Sequence, residues 1–194
     1  NSNPTARSNY RNAYDAYIAG IPDGQAKTDG IAVGEATAQA VLAARSKDNF
    51  YNTATYSNPA ATPGVWQSVL AATPYATVGA NDYAMAFTMP LTAASPDARR
   101  ITPPPRLTSG KYRRDFDETK TYGSLASPAR TPAMTNVVQF WTERGFTLWS
   151  RNVRDIVTAR GLDEFEAARV LAAFSVATGD AMLACFESKY AHMF

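Results

Sequence analysis

Val170-Leu-Ala-Ala-Phe-Ser-Val-Ala-Thr-Gly-Asp-Ala-Met-Leu-Ala-Cys-Phe186 contains a single charged residue, Asp180. It is followed by Glu187-Ser-Lys189-Tyr-Ala-His-Met-Phe194. A helix that is apolar on every side is normally the centre of a bundle, because no face is suited to water. Asp163 is a good N-cap for it. From Asp163 to Tyr190 such a helix would be about 42 Å long at 1.5 Å rise per residue. A transmembrane reading is disfavoured, since the run falls just short of the usual span and carries Ser175, Thr178, Gly179 and Asp180. The expectation is therefore an all-α fold, a helical bundle around a long buried C-terminal helix, with Leu171, Phe174 and Met182 in the core.

Upstream, two helices are expected before residue 47. Residues 7–20 place Tyr10, Tyr14, Tyr17 and Ile18 on one face, with Gly20 and Pro22 as a stop. An Ala-rich helix from about Asp29 to Ser46 carries Ile31, Val33, Ala38, Val41 and Leu42, with Asp29 as its cap. Residues 47–107 then lose any period. Prolines recur at 59, 63, 74, 90, 96, 103, 104 and 105, and aromatics at Phe50, Tyr51, Tyr56, Trp66, Tyr75, Tyr83 and Phe87. Disordered segments are poor in aromatics, so this stretch reads as an ordered wrap packed on helices. Regular structure resumes with Ser109 capping 111–122, closed by Gly123, with Tyr112, Phe116 and Tyr122 facing inward. Thr131-Pro132 opens the segment to Arg160, with Val138, Trp141, Trp149, Val153 and Ile156 at helical spacing and Gly145 able to divide it. The organisation expected is one helical domain over 1–194: a hairpin at 1–46, the wrap at 47–107 and the bundle at 108–194.

Composition narrows the function classes. The chain is 45% apolar with 19 basic and 17 acidic residues, so its net charge of +2 gives no electrostatic case for nucleic acid or an anionic membrane. One cysteine, Cys185, excludes an internal disulfide, and it reads as a small buried hydrophobe. Asn1-Ser-Asn-Pro-Thr has no signal-peptide pattern, and the absence of an initial Met fits a processed N-terminus. There is no Gly-rich phosphate loop, metal-ligand cluster or nucleophile elbow. Asp180, on a buried helix, needs a partner; Arg144, Arg151 and Arg154 are the candidates. Lys189 continues the stripe Thr178, Met182, Cys185. By spacing alone it reads as a lysine snorkelling from a helix end.

The C-terminal stretch resembles the vanadium-dependent haloperoxidases of the type-2 phosphatidic acid phosphatase superfamily. In that family Asp, a run of small and apolar residues and an Ala/Ser-Lys-Tyr triplet lead into the first oxyanion motif, a lysine followed after six residues by Arg-Pro. Lys189 and five spacer residues are present here. Asp23-Gly-Gln-Ala-Lys-Thr-Asp-Gly30, Gly34-Glu35, Pro63-Gly-Val-Trp66, Phe87-Thr-Met and Pro103-Pro-Pro-Arg-Leu-Thr-Ser109 extend the resemblance, which is strongest at 1–45, 100–123 and 175–190. Glu187-Ser188 departs mildly from the family's frequent Asp-Ala.

The resemblance implies that Lys189 is the catalytic and cofactor-binding residue, contacting an oxygen of vanadate. The other ligands would come from Arg-Pro, Ser-Gly-His and Arg…His motifs of a missing C-terminal half or of a second chain. His192, inside the spacer, does not correspond to the family's histidines. The implied activity of the whole protein is hydrogen peroxide-driven oxidation of halide to hypohalous acid, with vanadium as a Lewis acid. A secreted or periplasmic location is implied, and homo-oligomerisation is compatible with it. An acid phosphatase using the same pocket is the nearest alternative, and a non-catalytic helical binding or structural subunit the more distant one. This chain alone is expected to be inactive.

Overall fold

In the computed structural model, residues 4–54, 56–67, 83–143 and 145–194 are described. Among them all long regular elements are helical: α1 (Pro4–Ala19), α2 (Gln25–Arg45), a 3-10 turn (Pro96–Arg99), α3 (Gly110–Tyr122), α4 (Pro132–Trp141), α5 (Gly145–Arg160) and α6 (Glu164–His192). The all-α class stands. The chain divides into two compact units, residues 1–48 and 49–194.

The first unit is the α1–α2 hairpin. α2 begins at Gln25 and not at Asp29, behind a Gly24 N-cap whose φ of 154° suits glycine and which offers no side-chain cap. Asp29 lies just past the first turn and accepts from Gln25 Nε2 at 2.8 Å. Lys27 fixes the connection by donating to the Asp23 carboxylate at 2.9 Å and the Ile21 carbonyl at 3.0 Å. The tyrosine stripe of α1 does line one face, with Ile18, Ile31 and Ala38, but that face borders an open cleft of about 1120 Å³. Tyr10 remains 79% exposed.

In the second unit the helix ends follow local chemistry closely. The Ser109 hydroxyl accepts from Tyr112 N–H at 3.1 Å, and Thr131 from Met134 N–H at 3.3 Å. Gly145 starts a new helix, so the segment 132–160 is divided. Gly161 (φ 58°) ends α5. Asp163 and Glu166 then form a reciprocal capping box that starts α6. Inward faces were harder to read. Tyr112 is half-buried, but Phe116 and Tyr122 are exposed, as are Val138, Trp141, Trp149 and Ile156. The side chain that anchors this region is Leu148, 2% exposed, which the spacing argument had passed over.

α6 is the element on which the second unit is assembled, since both α5 and the 3-10 turn pack on it. Its burial is uneven. The buried positions are Asp180, Leu183, Glu187, Ser188 and Tyr190, all in the C-terminal half. Leu171, Phe174 and Met182 are half-buried, and Phe165 is exposed. Cys185 is exposed, which corrects its assignment as a buried hydrophobe; it falls on the opposite side from the stripe 183–187–190. α6 has 29 residues and is long and apolar enough to cross a bilayer by length and composition. Its C-terminal half nonetheless buries two carboxylates against this same chain, which is the behaviour of a packing element.

The described parts of 49–107 form the irregular wrap, with the short 3-10 turn and helical residues at 83–85 as its regular structure. Its prolines deny the backbone donors that a long helix requires. Pro74 and Tyr75 of this stretch, and Arg144, lie outside the described residues.

Candidate functional site

The C-terminal turns of α6 carry both the anchors of the wrap and the candidate lysine. Residues 180, 183, 187 and 190 recur at three- and four-residue spacing and so share one face. On it, the Asp180 carboxylate accepts from Leu91 N–H at 2.7 Å, Thr92 N–H at 2.7 Å and the Thr92 hydroxyl at 2.5 Å. Arg99 donates to the same Thr92 hydroxyl at 3.1 Å. Burial pushes the Asp180 carboxyl up, but the Thr92 hydroxyl, the two amides and the nearby Arg99 charge outweigh it, so its pKa lies below the ordinary carboxylate value. The expectation that Asp180 is hydrogen-bonded holds, but the partner differs. Arg151 pairs instead with Glu143 at 2.7 Å. Two consecutive amides at the start of a turn satisfy a carboxylate without burying a second charge.

Two turns further on, the Arg100 guanidinium grips Glu187 Oε1 through Nε (2.8 Å) and Nη2. Ser188 Oγ accepts from Ile101 N–H at 3.1 Å, and His192 Nε2 lies 2.8 Å from the Ile101 carbonyl oxygen. The wrap is thus pinned along α6 at 91–92 and at 100–101. Glu187 and Ser188 are two of these pins. Nothing in the sequence paired them with Arg100 and Ile101, because the partners are about 87 positions apart.

Lys189 projects to the side of this face. It is half-buried, and its Nζ lies 4.5 Å from the Trp66 ring centroid, 5.0 Å from Tyr190 and 5.6 Å from Phe186. Among the described residues no carboxylate pairs with it. The rings belong to a larger aromatic cluster. Tyr190 meets Tyr83 at 4.8 Å, Tyr56 at 5.4 Å and Trp66 at 6.1 Å. The Tyr56 hydroxyl is buried without a partner; burial, with Tyr83 beside it, pushes its pKa up. A separate cleft of about 500 Å³ is bordered by Tyr83, Phe87, Arg100, Glu187 and Tyr190, and Lys189 is not among its walls.

α6 ends just beyond the lysine. Met193 adopts a left-handed conformation (φ 53°) and donates its N–H to the Lys189 carbonyl at 3.0 Å. The Met193 carbonyl in turn accepts from Trp66 N–H at 2.8 Å.

A half-buried ammonium with no counter-ion among the described residues is suited to donate to an anion, and its three N–H groups provide point-charge recognition of an oxyanion. Among the described residues no group of three His, Cys, Asp or Glu side chains converges. No family model, curated protein or solved structure matches this chain.

Proposed function

We propose that this chain is the N-terminal part of a vanadate-dependent haloperoxidase-like enzyme, and that Lys189 is its first oxyanion-binding residue. The observation that carries this reading is the charge state of the Lys189 environment. The side chain is half-buried beside three aromatic rings, and among the described residues no carboxylate neutralises it. The rings offset only part of the cost of drawing this cation out of water, and an anion would offset more of it. A tetrahedral oxyanion is the compensating group that the sequence resemblance implies.

The residues present fit vanadate as one donor of several. Lys189 would donate to one oxygen, while most oxygens of the trianion need donors from elsewhere in the whole protein. When bound, vanadate supplies the Lewis-acid activation of hydrogen peroxide for halide oxidation. The contribution of this chain is to hold a positive charge at a fixed point and to limit water around it, which strengthens its attraction for an anion. Phosphate offers the same tetrahedral oxygens, so phosphate-ester hydrolysis is the activity to compare.

The test is bromide-dependent peroxidase turnover of the complete protein with and without vanadate, alongside phosphatase turnover. Vanadate-dependent bromide oxidation is expected. Lys189→Ala should weaken vanadate binding by about 1.5–3 kcal/mol, roughly 10- to 150-fold, as for loss of a charge-assisted contact. Phosphatase turnover alone would select the phosphatase. No turnover in the folded complete protein would select a non-catalytic helical subunit.

A further inference from the structure

We infer that Trp66 is a positioning residue for Lys189, serving in place of a counter-ion. The inference deepens the oxyanion reading and rests on it. Of the three rings around the ammonium, Phe186 and Tyr190 belong to α6 and accompany the lysine wherever the helix goes. Trp66 is the one delivered by another part of the chain, and its ring is the nearest, at 4.5 Å.

The delivery is built into the backbone. Val65 N–H closes a turn onto the Thr62 carbonyl at 3.0 Å. Gly64 turns the chain with φ 83°, a conformation that favours glycine. The next N–H, that of Trp66, is locked to the Met193 carbonyl at 2.8 Å, at the residue that caps the lysine's own helix. Tyr56 and Tyr190 hold the indole at 5.4 and 6.1 Å. One turn thus fixes the helix end and the ring over the lysine together.

The choice of an aromatic ring has a chemical consequence. A carboxylate at this distance would orient the lysine but cancel its charge and occupy its donors. An indole face attracts the ammonium through its quadrupole and accepts no conventional hydrogen bond. The lysine is held in place with its net charge and its N–H groups available to an incoming anion.

The test compares Trp66→Phe, which keeps an aromatic face, with Trp66→Leu, which keeps apolar bulk but no face. The first readout is the rate at which an amine-acylating reagent modifies Lys189 in the complete protein, mapped by mass spectrometry and referred to exposed Lys120. The second is vanadate affinity. In Trp66→Leu, labelling should rise, and vanadate affinity fall, by about three- to tenfold, with Trp66→Phe close to the parent on both. Equal effects of the Phe and Leu variants, or unchanged Lys189 labelling in a folded Trp66→Leu protein, would overturn the inference. If the parent does not bind vanadate, the oxyanion reading fails by itself, and the labelling ratio still decides whether Trp66 holds the lysine.

Discussion

At the scale of single residues, Asp180 and Lys189 use opposite solutions to burying a charge. Asp180 is satisfied by two amides and a hydroxyl, whereas Lys189 is bordered by three rings and, among the described residues, by no anion. The first solution is structural and has a pH signature. Because the folded Asp180 pKa is lowered, the clamp contributes stability that is present above the unfolded value of about 3.9 and is lost as pH falls through the folded value. Asp180→Asn replaces one acceptor with a donor facing an N–H. It should cost about 2 kcal/mol near neutral pH. Chemical denaturation across the acid range would check this: the gap between parent and variant should narrow below about pH 4. A constant gap down to the acid transition would remove the carboxylate clamp from the account.

At the scale of elements, α6 and the wrap stabilise one another through a few long-range polar contacts, while the helix caps are local. Two ion pairs on arginine allow a comparison. Arg100 holds Glu187, whose side chain is 6% exposed, and Arg151 holds Glu143, which is 33% exposed. Removing Arg100 leaves a nearly buried carboxylate with one oxygen already unpartnered, whereas Glu143 turns to water. Thermal unfolding should therefore show a clearly larger loss of Tm for Arg100→Ala than for Arg151→Ala. Similar losses would mean that Glu187 is rescued by solvent. The same pairs show why helix ends were readable and helix faces were not. Ser109, Thr131, Asp163 and Gly161 act on backbone groups within a few residues, so their effect is written in the local sequence. Phe116, Tyr122 and Trp141 have helical spacing but no neighbour that the sequence identifies.

At the scale of the whole molecule, the second unit shows water a large number of apolar side chains on α4, α5 and the start of α6. They include Val137, Phe140, Trp141, Phe146, Ile156 and Phe165. Exposed apolar surface of this extent marks an interaction face or an aggregation hazard. The 194-residue chain on its own is expected to bind a hydrophobic dye and to self-associate with concentration. Light scattering together with dye fluorescence would check it. A monodisperse species with little dye binding would show that the exposed side chains need no cover, and a single closed oligomer would identify a second copy as the cover.

What the sequence determined by itself was the helical class, the caps at Ser109, Thr131 and Asp163, the stop at Gly161, the dominance of the C-terminal helix and the need for a partner at Asp180. Each of these is governed by interactions within a turn or by the balance of apolar and polar residues along one element. The tertiary structure alone decided that Asp180 is held by Leu91 and Thr92, that Glu187 meets Arg100, that Leu148 and not the tryptophan stripe anchors α5, and that Trp66 covers Lys189. Those pairings join residues many tens of positions apart across a segment without periodicity. No local propensity specifies them; they are fixed only when prolines, turns and a long helix bring both partners to the same place.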